Sequence, residues 1–488
     1  MSQGGARRRP RPAAVNPIAT LLFIAAFPTV IMFGVWRYAQ SQDGGVSLGP
    51  DREAQFDPLV PATPILSARR TPVVLARETS SAAFEAALRP LGGAVLPGSC
   101  AGVAVDGVLA LSDGIDTPVT PASTLKVIVA AVALEVLGPD YAFTTEVRAE
   151  VNGGAVGSLY LIGGGDPLLS SDWYPDDANF NRYPQRPATS LDALADAVVK
   201  AGVTQVGGNV VGDPNRFDLE YYPPTWPVSF RASEGGPIAG LLVNDGRVRN
   251  QGVVATDPGL GAAREFVRLL QERGVTVVGQ PTSGQAPGNV ATIASTTSAP
   301  LSSIVAEMLQ NSDNNTAEML VKEIGLIGAR SGTRAAGIGV ITNRLSEWGI
   351  PMTGVLLVDG SGLSKENQVT CSAMLAILDR FSERDVLYQS LSIAGQTGTL
   401  AGYFVGDPLE GVMRGKTGSL TDVKGLVGYV PTDGDGLITF AVLLQAPGVA
   451  DDAAFRPIWE GYLSDALSSY PAGPKADQLL PKVAVGAP

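Results

Sequence analysis

Three short groups of residues, Ser123-Thr124-Leu125-Lys126, Ser312-Asp313-Asn314 and Lys416-Thr417-Gly418, carry between them the side chains of a nucleophilic acyl-transfer site. A serine hydroxyl attacks a carbonyl only when a neighbouring base takes its proton. The chain contains no histidine, so an imidazole-based triad is excluded and the amine of Lys126 becomes the candidate base. Lysine accepts a proton only as the neutral amine, and both burial and a neighbouring cation, Lys416, are expected to depress its pKa. Ser312 carries a hydroxyl that can relay a proton toward a leaving amine. Asn314 offers an amide to orient Lys126 and a substrate backbone.

These side chains need elements to bring them together. Pro121 opens a helix predicted over Ala122–Leu137 and Gly138-Pro139 closes it. Val127–Leu134 is apolar on every face, so that helix is expected in a domain centre. Ser123 then lies in the first turn, where free N–H groups and the helix dipole favour developing negative charge. One turn carries Lys126 to the same face. Upstream, Ala101–Val105 and Val108–Ser112 read as strands joined at Asp106-Gly107, a hairpin signal. Downstream, helices are predicted over Leu301–Gln310, Thr316–Ile327, Ser372–Phe381 and Ala453–Leu467, and strands over Val355–Val358, Lys416–Leu420, Leu426–Val430 and Leu437–Leu444. From about Phe143 short strands (Val147–Val151, Gly157–Ile162, Val206–Val211) alternate with a helix over Leu191–Ala201. A helix over Ala262–Arg273 and a strand over Val275–Val278 fit either this insert or the main domain.

Ser-x-x-Lys by itself is a weak signal, whereas Ser-Asp-Asn and Lys-Thr-Gly are each rare by chance. Taken singly, Ser123 reads equally as a helix-start residue, Asn314 as a cap, and Lys416-Thr417-Gly418 as a strand end. Their ordered conjunction reads as an active site.

The triple motif resembles that of the serine penicillin-binding proteins and β-lactamases. Further segments resemble one branch, the class C low-molecular-mass penicillin-binding proteins (D-alanyl-D-alanine carboxypeptidases and endopeptidases). These are Thr120-Pro121-Ala122 before Ser123, Gly163-Gly164-Gly165-Asp166-Pro167, Asn315-Thr316-Ala317-Glu318-Met319-Leu320, Asp359-Gly360-Ser361-Gly362-Leu363-Ser364 and Gly398-Thr399-Leu400. The likeness spans about residues 80 to 465, and an insert of about 185 residues between the first two motifs also fits the branch.

The resemblance implies an α/β (α+β) fold: a β-lactamase/transpeptidase-like domain with an antiparallel sheet flanked by helices, plus an inserted, mainly β subdomain. The domain plan it suggests is 76–142 and 286–470 for the catalytic domain and 143–285 for the insert. It implies an acyl-enzyme on Ser123, with the N–H groups of Ser123 and Ser419 as oxyanion hole. Lys416, Thr417, Gly418 and Ser419 would bind the free carboxylate of a peptidoglycan stem peptide or of a β-lactam antibiotic. In the family, the aspartate of Gly-Gly-Asp-Pro and an arginine after Asp-Gly-Ser-Gly-Leu-Ser recognise the free end of a diaminopimelate side chain. Asp166 matches the first. Lys365 stands at the second, keeping the charge without the bidentate fork; the alternative reading is a turn-forming Asp166 and an exposed Lys365.

Composition sets bounds around this reading. Net charge is -12, and only eight of the 35 basic residues are lysine, which argues against nucleic acid as a partner. Without histidine, and with two cysteines, no metal site is expected and no cofactor is called for. Arg7, Arg8, Arg9 and Arg11 (residues 1–16, a basic segment) precede an uncharged apolar run over 17–36, long enough to cross a bilayer. The charge asymmetry predicts a cytoplasmic N-terminus, one transmembrane helix and an exported body. A cleaved signal peptide is the alternative, which the length of the run and Arg37 disfavour. Residues 37–75 read as a flexible linker and 471–488 as a flexible tail. Cys100 and Cys371 are either a disulfide, which an exported body permits, or two buried thiols.

Three functions fit the motifs: a D,D-peptidase on peptidoglycan, a β-lactamase, or a wall-binding scaffold that keeps the fold. The long insert disfavours the second, and the intact nucleophile, base and relay residues disfavour the third.

Overall fold

The computed structural model describes residues 30–38, 67–175, 187–251, 253–432, 436–471, 473 and 475–481. Residues 66–481 form one compact unit; of the other unit, residues 30–38 are described, as a short helix. Most of the anticipated membrane segment (17–29) and of the linker (39–66) therefore lies outside the described residues. Among the described residues no helix is long and apolar enough to cross a membrane.

The main body is built on a six-stranded antiparallel sheet. Its order is Ser392–Ile393, Arg414–Leu420, Val423–Pro431, Leu437–Gln445, Cys100–Val105, Val108–Asp113. The central strands Val423–Pro431 and Leu437–Gln445 are buried along nearly their whole length, because helices cover both faces. Against one face lies the helix Leu125–Val136, whose residues from Leu125 to Ala133 are all buried. Helices Leu301–Asn311 and Asn314–Ala329 share that core. Against the other lie Pro72–Ala94, presenting Phe84, Leu88 and Leu91 one turn apart, and the C-terminal helical run Asp452–Ser468. Residues 475–481 were expected in a loose tail, yet the turn Ala476–Leu479 packs on the helix Pro72–Ala94 and buries Leu479.

Two elements depart from the sequence reading. Val355–Val358 is not a strand; only an isolated bridge pairs Leu356 with Gln368. A helix over Arg334–Glu347 forms where none was expected. Its glycines read as breakers, but Gly337 sits where an added Cβ would lie 1.9 Å from the Val321 carbonyl oxygen, so it permits close helix packing.

Between residues 144 and 297 the chain builds a second core. A five-stranded sheet runs Pro281–Ser283, Val210–Asp213, Leu159–Ile162, Thr144–Arg148, Thr292–Thr297, with parallel pairing on one side and antiparallel on the other. Helices Leu191–Lys200 and Pro258–Glu272 pack on it through Leu194, Val198, Phe266 and Leu269. The helix that sequence left between two assignments thus shares a core with the insert. The chain enters and leaves on neighbouring strands, Thr144–Arg148 and Thr292–Thr297.

Of the two readings for the cysteines the structure takes the disulfide: Cys100 and Cys371 are bonded, S–S 2.06 Å. It staples the sheet to the helix Cys371–Leu378 across 271 residues of sequence. Closing so long a loop restricts the unfolded chain and stabilises the fold by about 4 kcal/mol.

Candidate active site

Ser123 does not lie in the α-helix itself. It sits in a 3-10 turn, Ala122–Thr124, that leads into Leu125–Val136. Ala122 has a φ of 48°, a conformation that non-glycine residues rarely adopt, and Ser312 has one of 60° at the end of its helix. Both irregularities flank reacting side chains, where such backbone tends to concentrate. Asp313 caps the next helix by accepting from the Thr316 N–H at 2.7 Å, and Asn314, the first residue of that helix, reaches Lys126.

Lys126 Nζ is the hub. It lies 2.9 Å from Ser123 Oγ, 2.7 Å from Asn314 Oδ1 and 2.6 Å from the Ser361 carbonyl oxygen. Lys126 is completely buried. Burial lowers its pKa from the ordinary value to about 8, opposed by the charges of Asp359, Asp313, Glu318 and Glu234. Burial is the main cause, and the two buried amines also repel each other, as the sequence reading expected of Lys416. Lys416 is also fully buried, and burial followed by repulsion from Lys126 holds its pKa well below the ordinary range. Its Nζ donates to Ser312 Oγ at 3.0 Å and to the Thr417 carbonyl at 2.8 Å. Thr417 Oγ1 meets Thr399 Oγ1 at 2.7 Å.

The glycine of Lys-Thr-Gly has a steric reason. A Cβ on Gly418 would stand 2.7 Å from the Pro121 carbonyl oxygen and 3.1 Å from Thr124. Only a bare backbone lets the strand Arg414–Leu420 pass so close to the turn that bears Ser123.

These residues open on a cleft of about 500 Å3, lined by Ser123, Ser312, Asn314, Thr417 and Ser419 among others. Asp166 and Lys365 do not line it. Asp166 is buried and accepts from the Leu168 N–H at 2.9 Å, fixing a turn, and Lys365 is exposed. Charged side chains that do line the cleft are Glu234, Asp245, Arg247, Glu307 and Asp313. The first three belong to residues 234–247 of the insert and escaped the sequence reading. The Glu234 carbonyl accepts from Asn314 Nδ2 at 2.7 Å, tying the stretch to the site. The turn residues Asn244-Asp245-Gly246 were the available signal. Among the described residues no cluster suited to a metal ion is found.

The D-Ala-D-Ala carboxypeptidase 3 (S13) family model matches residues 94–256 and 237–458. A D-alanyl-D-alanine carboxypeptidase from an Actinomadura species is 31% identical over 408 residues, 66% of this chain and 72% of that protein. A carboxypeptidase from Mycobacterium tuberculosis is 30% identical over 363 residues, 70% of this chain and 76% of that protein. Two crystal structures of penicillin binding protein 4 from Haemophilus influenzae, the second complexed with a β-lactam, share the fold at TM-scores of 0.66 and 0.59. Each is 21% identical and covers 78% of this chain and 99% of that chain.

Proposed function

The chain belongs to the D-Ala-D-Ala carboxypeptidase 3 (S13) family of serine hydrolases, among the class C low-molecular-mass penicillin-binding proteins, and from that premise we propose that it cleaves peptidoglycan stem peptides through an acyl-enzyme on Ser123. The single observation that carries the proposal is the 2.9 Å contact between Ser123 Oγ and the buried amine of Lys126.

Neutral Lys126 takes the hydroxyl proton as Ser123 Oγ attacks the carbonyl carbon of the penultimate D-alanine. The N–H groups of Ser123 and Ser419 receive the oxyanion. As the amide C–N bond breaks, Ser312, hydrogen-bonded to Lys416, passes a proton to the leaving D-alanine nitrogen. Water then hydrolyses the ester. Lys416 and Thr417 hold the free carboxylate, and Asn314 the peptide backbone. A penicillin has a carboxylate and a strained amide in comparable positions, so the same attack opens its ring and leaves an acyl group on Ser123.

Base catalysis by a buried lysine sets a pH dependence. Below a pKa of about 8 the neutral fraction of Lys126 falls tenfold per pH unit. The rate at which a fluorescent penicillin labels the full-length protein is therefore expected to rise with near-unit slope between about pH 7 and 8 and to level above about 8, flattening toward pH 6, where Asp359, pushed up to about 6 by burial, loses its charge. A rate independent of pH across that range would remove Lys126 from the base role. The lifetime of the label distinguishes the functions: a persistent label marks a D,D-peptidase, rapid turnover a β-lactamase, and no label a scaffold.

We further propose that the body works outside the cytoplasmic membrane, tethered through residues 17–36. The arginine asymmetry around that run and the Cys100–Cys371 disulfide support this placement. Carbonate-washed membranes from cells expressing the full chain are expected to retain it; release of a shortened protein into the medium would favour signal cleavage instead.

A further inference from the structure

Lys126 Nζ has three polar neighbours, and two of them can only accept. Asn314 Nδ2 donates to the Glu234 carbonyl, so Asn314 Oδ1 faces Lys126. The other acceptor is the Ser361 carbonyl oxygen, 2.6 Å away. A neutral amine has two N–H groups and one lone pair. With both N–H groups committed to these oxygens, the lone pair is directed at Ser123 Oγ, the remaining neighbour. The Ser361 carbonyl is thus as much a determinant of base geometry as Asn314, and it must itself be held still.

Its support comes from the peptide units on either side of Ser361. Glu318, fully buried on the helix Asn314–Ala329, accepts through Oε1 from the Gly360 and Ser361 N–H groups, each at 2.9 Å. Its Oε2 accepts from Arg334 Nε at 2.9 Å, so the buried carboxylate is paired as well as hydrogen-bonded. On the far side, the Gly362 N–H, in the same planar unit as the Ser361 carbonyl, donates to Asp359 Oδ1 at 2.9 Å. Both planes flanking the Ser361 Cα are pinned, one by each carboxylate. Glu318 lies one turn along its helix from Asn314, so one helix sets both acceptors of the base.

We propose that Glu318 is a positioning residue for Lys126, acting through the Ser361 carbonyl to aim the amine lone pair at Ser123. This rests on Lys126 being the base, the reading given above. It goes beyond that reading by adding a residue that touches neither substrate nor nucleophile.

Two substitutions in the full-length protein separate positioning from mere support of the fold. Glu318→Gln keeps an acceptor oxygen for the two loop N–H groups, removes a negative charge and sets its NH2 against Arg334, so a smaller labelled fraction is expected while the sites that label keep the loop contacts. Glu318→Asp keeps the charge and withdraws the carboxylate by one methylene. The readout is the rate of acylation by fluorescent penicillin between pH 6 and 10, normalised to the sites that finally label. The charges facing Lys126 are those of Asp359, Asp313, Glu318, Glu234 and, across the site, Lys416. Removing one carboxylate charge lowers the pKa of Lys126.

Glu318→Asp is expected to lower the high-pH plateau about tenfold, because small misplacements of a reacting group are costly. Glu318→Gln is expected to keep the plateau within about threefold and to move the rising limb to lower pH. A plateau unchanged in Glu318→Asp, or an equal loss in both variants, would overturn the inference. Normalisation removes any loss from misfolded protein. If the unsubstituted protein itself fails to label, it is the acyl-enzyme reading that falls, so the two failures are distinguishable.

Discussion

Ser123→Ala is expected to lower D-alanine release from a stem pentapeptide by at least about 10^4-fold, to the rate left by the remaining binding groups. The reason is chemical as well as geometric. Of the hydroxyls in the cleft, that of Ser123 touches Lys126 Nζ, whereas the Ser312 hydroxyl touches Lys416. Lys416 is held well below its ordinary pKa as well, so Ser312 is the natural second candidate for nucleophile. Position decides between them. Ser123 lies in the turn that leads into a helix, on the side of the helix dipole that favours developing negative charge, whereas Ser312 ends one. The substitution removes one oxygen from a partly buried side chain and leaves the turn Ala122–Thr124 intact, so thermal unfolding should move little. Loss of activity with an unchanged melting temperature, read by D-alanine assay and circular dichroism, is the expected pair of results. Activity that persisted would transfer the nucleophile role to Ser312.

Lys126→Ala is expected to reduce acylation by fluorescent penicillin about 10^3- to 10^4-fold, corresponding to about 4 to 5 kcal/mol of barrier. Without the amine, the Ser123 hydroxyl has no base within hydrogen-bonding distance among the described contacts, and Asn314 Oδ1 and the Ser361 carbonyl lose their common donor. The residual rate should also lose its rise between pH 6 and 8, since the titrating group is gone. Stopped-flow labelling across that range checks both parts. A residual rate that still rose with unit slope would identify another group as the base. The stability effect is of mixed sign, because removing a buried amine relieves its desolvation but strands two acceptors.

How much of this was legible in the sequence follows from the range of the interactions. Ser123 and Lys126 are one turn apart, so residue type and helical spacing placed them together. The three motifs could be recognised by type, but not the reason for the glycine in the third, which lies in contact between Gly418 and the Pro121 carbonyl across nearly the whole catalytic body. The Ser361 carbonyl was invisible because any residue supplies a carbonyl; its place beside Lys126 depends on 235 residues of intervening fold. Glu318 falls in a segment that matches the family by residue type, but its contacts with the Gly360 and Ser361 N–H groups depend on the intervening fold. The helix Arg334–Glu347 was lost because local propensity penalises Gly337, which tertiary packing against Val321 requires. The Cys100–Cys371 bond could be allowed by compartment and no more, since its geometry is set by the sheet and the helix it joins.

The specificity residues show the limit most clearly. Asp166 and Lys365 were singled out by motif position; Asp166 accepts from the Leu168 N–H in a buried turn, Lys365 is exposed, and neither lines the cleft. Glu234, Asp245 and Arg247 reach the cleft from the insert instead, through a segment whose conformation depends on Asn314 and Asn315.

The most direct measurement is to trap the penicillin adduct of the full-length protein, digest it and locate the added mass by tandem mass spectrometry. One acyl group per chain is expected, on the peptide containing Ser123 and on that residue within it. An adduct on Ser312 or elsewhere, or an unmodified Ser123 in protein that is otherwise active, would contradict it.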